Sequence, residues 1–183
     1  MTTLKQTLIR RRLRSVSAPS GIAGSPSDAA TFEAAVTPLY DSIVRRLVVV
    51  LGDLQEAEDI AQDAYLRAFQ SWERFDGRDV RAWLYTIALR LAFNHLRRRR
   101  RWLAALRRIA PAPWSDRSDP DLWTAIHRLD VRTRAALLLN VLDGYTQREI
   151  ATMLAVPEGT ISSRLSRARS VLRAALEDGS SQN

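Results

Sequence analysis

The sequence predicts an all-α protein: two small helical domains joined by a flexible, Arg/Pro-rich linker, the C-terminal one carrying a helix-turn-helix. Three observations lead there. Glycine and proline are sparse, seven of each in 183 residues, and apolar residues recur at helical spacing over long stretches. Helical periodicity breaks once in the middle of the chain, where I-A-P-A-P-W-S-D-R-S-D-P (109–120) carries three prolines among polar breakers. Beyond the break, Thr146 and Glu149 stand at capping-box spacing before a short amphipathic run. The chain divides into a disordered basic tail (1–30), a helical domain (31–100), a linker (101–118), a second helical domain (119–176) and a disordered tail (177–183). Each domain is small for an independent core.

Composition narrows the function classes. The apolar fraction of 46% suits a globular protein. There is no cysteine, which excludes a disulfide framework, a thiol nucleophile and a Cys-based zinc site. No apolar run approaches the ~18–20 residues of a membrane span, and no apolar h-region follows the basic start, so no membrane insertion and a cytoplasmic location are expected. The net charge of +8 points to a polyanionic partner, most often nucleic acid. Of 28 basic residues only Lys5 is lysine. Arginine pairs bidentately with phosphate and guanine, although GC-rich codon usage accounts for much of such a bias.

Taken in order, the tail holds Arg10, Arg11, Arg12 and Arg14 before a Ser/Pro/Gly/Ala tract without periodicity. From Phe32 to Leu51 an apolar face appears (Phe32, Val36, Leu39, Tyr40, Ile43, Leu47, Val50, Leu51). Thr37-Pro38 fits a cap with proline at the first helical position, giving either two short helices or one kinked helix. Gly52 ends the segment. The helix predicted from Asp53 to Trp72 has a broad apolar face and an opposite stripe of Glu56, Asp59, Asp63, Arg67 and Gln70. Its first half holds five acids and no base. Acids near a helix N-terminus are favoured by the dipole. In so basic a chain, a coherent acidic stripe equally describes a docking surface for a basic protein. Phe75-Asp76-Gly77-Arg78-Asp79-Val80 is a turn-rich connector, either a plain helix–helix turn or a loop able to hold an extruded base.

The helix predicted over Arg81–Arg101 contains no glycine or proline. At 100° per residue Thr86, Arg90, Asn94 and Arg97 share one stripe, with Trp83, Ile87 and Phe93 on or beside it. Leu84, Ala88, Leu91, Ala92, His95 and Leu96 fill the core face, which makes His95 a packed residue rather than a ligand. Cationic and amide groups flanked by aromatics suit single-stranded nucleic acid: arginine neutralises phosphates and flat rings stack on bases. An ordinary solvated face with a basic C-terminus gives the same pattern. Arg97–Arg108 carries seven arginines, Arg98 among them, and no acid.

In the second domain Asp119-Pro120 starts one helix and Asp130 caps the next, which Asp143-Gly144 ends. Thr146-Gln147-Arg148-Glu149 opens a helix over 146–155. Val156-Pro157-Glu158-Gly159 is the expected turn. A second helix from Thr160 packs Ile161, Leu165, Ala168 and Leu172 and exposes Ser162, Ser163, Arg164, Ser166 and Arg167. That is a helix-turn-helix, whose small hydroxyls and arginines reach a major groove for phosphates and base edges.

The residues that carry a resemblance are now in place. They are T-P-L-Y (37–40), L-G-D-x-x-x-A-E-D-I-A-Q-D-A-Y-L-R-A-F (51–69), F-D-G-R (75–78), R-A-W-L-Y-T-I-A (81–88), N-H-L-R-R-R-R-R (94–101), D-G-Y-T-Q-R-E-I-A (143–151) and V-P-E-G-T-I-S-S-R-L-S-R-A-R (156–169). Their order and spacing resemble the extracytoplasmic-function (ECF) sigma factors, two-domain bacterial factors that direct RNA polymerase to promoters. The resemblance implies region 2 for 31–100 and region 4 for 119–176. It implies that Asp53, Glu56, Asp59, Asp63, Arg67 and Gln70 dock on the β′ coiled coil of core RNA polymerase. Asp76, Arg78, Trp83, Thr86, Arg90, Asn94, Arg97 and Arg98 would meet the melted −10 element, with a flipped base held by the 75–80 loop. Thr146, Arg148, Thr160, Ser162, Ser163, Arg164, Ser166 and Arg167 would meet the duplex −35 element, with the β flap a further polymerase contact. The linker would thread towards the RNA exit channel. An anti-sigma factor is an expected partner. Leu54 stands where the family often has proline, Asp130 where proline is common, and Ser162 where many members carry a basic residue.

No enzyme and no cofactor are expected: there is no Gly-rich phosphate loop, Walker-type lysine or catalytic triad. A stand-alone helix-turn-helix regulator would explain 119–176 and leave the acidic and aromatic-basic stripes idle. A recombinase would need a nucleophile among convergent arginines in the first domain, and Tyr65 reads as core.

Overall fold

The computed structural model describes residues 26–106 and 122–180. The expected N-terminal tail through residue 25, the linker over 107–118, the expected helix start at Asp119-Pro120 and residues 181–183 lie outside the described residues. Eight α-helices are described: α1 (Pro26–Val36), α2 (Tyr40–Leu51), α3 (Leu54–Gln70), α4 (Val80–Leu106), α5 (Leu122–Arg128), α6 (Val131–Val141), α7 (Gln147–Leu154) and α8 (Glu158–Ser180). Two 3₁₀ turns, Thr37–Leu39 and Trp72–Arg74, join α1 to α2 and follow α3. No strand occurs among the described residues.

Three boundaries differ from the sequence expectation. Residues 26–30, expected in the tail, begin α1, where Pro26 is tolerated in a first turn and Phe32 and Val36 anchor the helix in the core. Residues 101–106, expected as linker, continue α4, because nothing between Arg81 and Leu106 breaks a helix. Residues 177–180, expected as tail, extend α8. At the Thr37-Pro38 step the chain makes two helices separated by a 3₁₀ turn.

Gly52 ends α2 at φ +84°, a left-handed conformation that costs a residue with a side chain 1–2 kcal/mol or so. Asp53 then caps α3, accepting from the Glu56 amide at 2.7 Å. Along α3, Ala57, Ala61, Ala64 and Ala68 are fully buried, so α2 and α4 approach closely. Tyr65 closes the bottom of this bundle, donating to the Val36 carbonyl at 2.6 Å. In the second half, Asp130 accepts from the Arg132 and Thr133 amides at the start of α6, and α6 and α7 both pack on α8.

The two halves are packed together, and their buried side chains form one continuous apolar cluster. α6 lies against α2 and α7 against α4. Arg134, only 6% exposed, donates to the Val49 and Val50 carbonyls at the C-terminal end of α2 (3.0 and 3.1 Å) and to the His127 and Leu129 carbonyls (2.8 and 3.0 Å). A guanidinium there satisfies carbonyls that a helix end leaves orphaned. Asp143 crosses in the other direction. Its carboxylate, with no side-chain exposure, meets Arg46 Nε at 3.0 Å and Arg81 Nη2 at 3.1 Å. It also accepts from the Tyr85 hydroxyl at 3.2 Å. Tyr145 sets its ring edge-on to Tyr85 and donates to Asp79 Oδ2 at 3.4 Å.

Candidate nucleic-acid interface

The acidic stripe lies along the outer face of α3. Asp59, Asp63, Arg67 and Gln70 are exposed, as are Asp53 at the cap and Leu54 beside it. Glu56 differs from its neighbours. It is half-buried, with Arg99 Nη1 at 3.4 Å and His95 Nε2 at 3.2 Å, the latter close enough for an ion pair without hydrogen-bond alignment. The expectation that His95 sits on the core face is therefore corrected. Its side chain is 36% exposed at the margin of the core, with Nε2 itself buried beside Glu56.

The second surface begins at the 75–79 loop. Gly77 adopts φ +77°, the left-handed region that lets the chain turn there. Asp76 accepts from the Arg78 amide at 3.2 Å, and its carboxylate lies 3.6 Å from the Arg78 side chain. Both side chains remain exposed. Asp79 caps α4, accepting from the Ala82 amide at 2.9 Å. Phe75 seats the loop on aromatic rings, stacked on Trp72 at 5.2 Å and 4.9 Å from Trp83. Trp83 is thus a half-buried support for the loop, with part of its surface open.

Along α4 the stripe divides. Arg90, Asn94, Arg97 and Arg98 are exposed, with Arg97 donating to Asn94 Oδ1 at 2.8 Å. Thr86 is half-buried, and its hydroxyl bonds the Ala82 carbonyl of its own helix at 2.9 Å. Phe93 lies under the Arg132 guanidinium of α6, 5.4 Å from its ring centre. A groove of about 600 Å³ runs between this end of α4 and the start of α6, lined by Arg97, Arg100, Arg101 and Arg132 around Phe93 and Leu96. Its charge favours an anionic occupant.

The third surface is the helix-turn-helix. Thr146 and Glu149 form the reciprocal capping box: the Thr146 amide donates to Glu149 Oε2 at 2.7 Å and the Glu149 amide to Thr146 Oγ1 at 3.3 Å. The Thr146 hydroxyl, followed by its amide, holds the Glu149 carboxyl below the usual range. The turn is made by Ala155 at φ +52°, while Glu158 and Gly159 already belong to α8; the helix starts earlier than the sequence suggested. Arg148, Ser162, Ser163, Ser166 and Arg167 are exposed, as is Thr146, and Thr160 is half-buried. Arg164 departs from expectation. It is half-buried, feels Asp130, and its Nη1 is buried without a hydrogen bond among the described residues. Its i+3 spacing from Ile161 turns it from the exposed side toward Asp130 at the α6 cap.

Residues 34–102 match the family model for Sigma-70 region 2, and residues 120–172 match that for Sigma-70 region 4. The chain belongs to the ECF sigma factors. The ECF sigma factor SigC of Mycobacterium tuberculosis is 36% identical over 143 residues, covering 73% of this chain and 77% of that protein. SigW of Bacillus subtilis is 27% identical across 94% of this chain and 99% of its own length. Among solved structures, the sigma factor RpoE of Bartonella quintana, in complex with the anti-sigma factor NepR, superposes with a TM-score of 0.69 at 25% identity, covering 80% of this chain and 97% of that one. Sigma factors are regulatory subunits that direct RNA polymerase to promoters. Among the described residues of this ECF sigma factor no helix is long and apolar enough to cross a membrane, and no group of His, Cys, Asp or Glu could hold a metal.

The sequence missed the residues that join the two halves. Asp143 was legible as a helix end and as the first residue of D-G-Y-T-Q-R-E-I-A, and Arg134 stood at the edge of the apolar run A-A-L-L-L (135–139), two residues after Arg132.

Proposed function

We propose that the acidic face of α3, from Asp53 through Asp59, Asp63, Arg67 and Gln70, docks this sigma factor on the β′ coiled coil of core RNA polymerase. The 75–79 loop and α4 then take the non-template strand of the −10 element. Arg90 and Asn94 face its bases, Arg97 and Arg98 its phosphates, and Asp76 and Arg78 border the site of a flipped base. Region 4 reads the −35 duplex through Ser162, Ser163, Ser166 and Arg167, with Thr146 and Arg148 on the backbone, and binds the β flap. Arg164 contributes through its position behind the reading face. Opening of the duplex draws its free energy from capture of unpaired bases and phosphates, with no catalytic chemistry by this chain. The protein works in the cytoplasm.

The observation that carries this reading is the segregation of charge on adjacent helices: exposed acids on α3, exposed arginine and amide groups on α4. A stand-alone regulator has no use for the first. An anti-sigma factor is a fitting partner, since the similar RpoE structure is a complex with the anti-sigma factor NepR. Run-off transcription with core polymerase on duplex and fork-junction templates tests the proposal. Template-specific initiation is expected; a folded protein that gives none defeats it.

A further inference from the structure

Five consecutive arginines, Arg97 to Arg101, lie towards the end of the helix proposed to meet single-stranded DNA, and one of them differs from the rest. Among the described residues, Arg99 alone of the five is in an ion pair. Its Nη1 lies astride the Glu56 carboxylate of α3, 3.4 Å from Oε1 and 3.5 Å from Oε2. His95, one turn earlier on α4, brings Nε2 to 3.2 Å from the same carboxylate. Arg97 is bonded to the neutral amide of Asn94. Arg98, Arg100 and Arg101 are exposed, with no carboxylate partner among the described residues.

Helix geometry explains the difference. At about 3.6 residues per turn, Arg99 stands about 160° around α4 from Arg97 and on the same side as His95. It therefore leaves the helix towards α3, away from the stripe of Arg90, Asn94 and Arg97. Glu56 is half-buried where Asp59 and Asp63 are exposed, so its charge is directed at α4 and not outward with theirs. A pair this open to water adds little to stability. What it changes is the charge that α4 offers to DNA. A guanidinium occupied by a carboxylate displaces no counterion from a strand, whereas each free one that meets a phosphate does.

We infer that Glu56 is a positioning residue for the DNA site: it holds Arg99 on the α3 side of α4, away from phosphate, and so limits how tightly the protein grips DNA of arbitrary sequence. The inference rests on the role proposed above for α4. Attachment to arbitrary sequence grows with every phosphate contact and competes with the specific site. Four free arginines in place of five weaken that attachment and leave the base-facing Arg90 and Asn94 untouched. The carboxylate also sets a negative charge on the α3 side, which keeps the strand on the stripe.

The test is the salt dependence of binding of the full chain to a labelled oligothymidylate, read by fluorescence anisotropy between about 50 and 200 mM salt. Arg98→Gln removes a free arginine and should make the slope of log affinity against log salt shallower by about 0.7, the value of one phosphate contact on a single strand. Arg99→Gln should leave the slope at its parental value. Glu56→Gln keeps the backbone amide that Asp53 caps, so far-UV helicity should be retained. It should steepen the slope by about 0.7, but only while Arg99 is present. In the Arg99→Gln background it should change nothing. Arg99→Gln alone decides the matter if Glu56→Gln loses helicity. The inference is overturned by an Arg99→Gln loss equal to that of Arg98→Gln, by a folded Glu56→Gln without effect, or by a Glu56→Gln effect that survives without Arg99, which would be long-range charge alone. In those cases a shallower slope for Arg98→Gln leaves α4 as the DNA face. If Arg98→Gln is silent too, that reading of α4 fails and the inference falls with it. No arm uses polymerase, so these results stand apart from the run-off assay.

Discussion

The guanidinium of Arg134 and the carbonyl oxygen of Val50 meet 3.1 Å apart across the junction of the two helical halves. Replacing Arg134 by methionine keeps an unbranched apolar stem and leaves the carbonyls of Val49, Val50, His127 and Leu129 without this donor. The variant should lose about 3 kcal/mol of unfolding free energy, read as a lower urea midpoint at unchanged slope.

The same guanidinium gives the protein a pH dependence. Arg134 Nη1 lies 3.1 Å from His127 Nδ1, which accepts only while unprotonated. Burial, followed by the charge of Arg134, holds the His127 imidazole below its ordinary value. The unfolded chain therefore binds this proton at higher pH than the folded one, and stability falls as pH drops from the unfolded value of about 6.5 towards the lowered folded value. Thermal melts should show decreasing midpoints through that window, and His127→Gln should flatten the decline.

Tyr65→Phe removes the hydrogen bond to the Val36 carbonyl while keeping the ring that packs edge-on to Tyr40. Calorimetry should register a loss of about 1 kcal/mol. An unchanged midpoint would mean that water replaces the hydroxyl at the end of α1.

Charge reversal separates docking from folding on α3. Asp59 and Asp63 are exposed. Asp59→Lys/Asp63→Lys should keep its helicity yet lose affinity for core polymerase by tenfold or so, as expected when like charges are set against a basic partner. Undiminished core binding would reduce the stripe to a helix-dipole effect.

Arg90 is exposed in the middle of the α4 stripe. Arg90→Ala should leave holoenzyme assembly intact and lower open-complex formation on duplex templates, measured by permanganate reactivity. A pre-melted bubble should restore part of the loss.

The helices themselves were legible because their signals are local. Ala57, Ala61, Ala64 and Ala68 recur at helical spacing, Gly52 follows the last apolar residue of α2, and Thr146 and Glu149 stand at capping distance. The family and its promoter-directing role were legible from the order of these local motifs. The contacts between halves were not, since nothing in the sequence near Asp143 specifies Arg46, 97 positions away. The outward face of α4 was half legible. Periodicity placed Arg90 and Asn94 on the surface, yet it could not show that the Thr86 hydroxyl is spent on Ala82 or that Phe93 lies beneath Arg132. Arg164 is less exposed than periodicity suggested for the same reason: a helix has an inner edge as well as an inner face, and neighbouring α6 decides which arginine falls there.

The ring stack beneath the 75–79 loop makes the protein its own optical reporter. Trp72 and Trp83 flank Phe75 within 6 Å, so movement of the loop must change the surroundings of two indoles. Trp102 and Trp123 are 64% and 48% exposed and can be replaced by phenylalanine without disturbing that stack. In such a background, stopped-flow emission would time the arrival of a base at the loop without any attached dye.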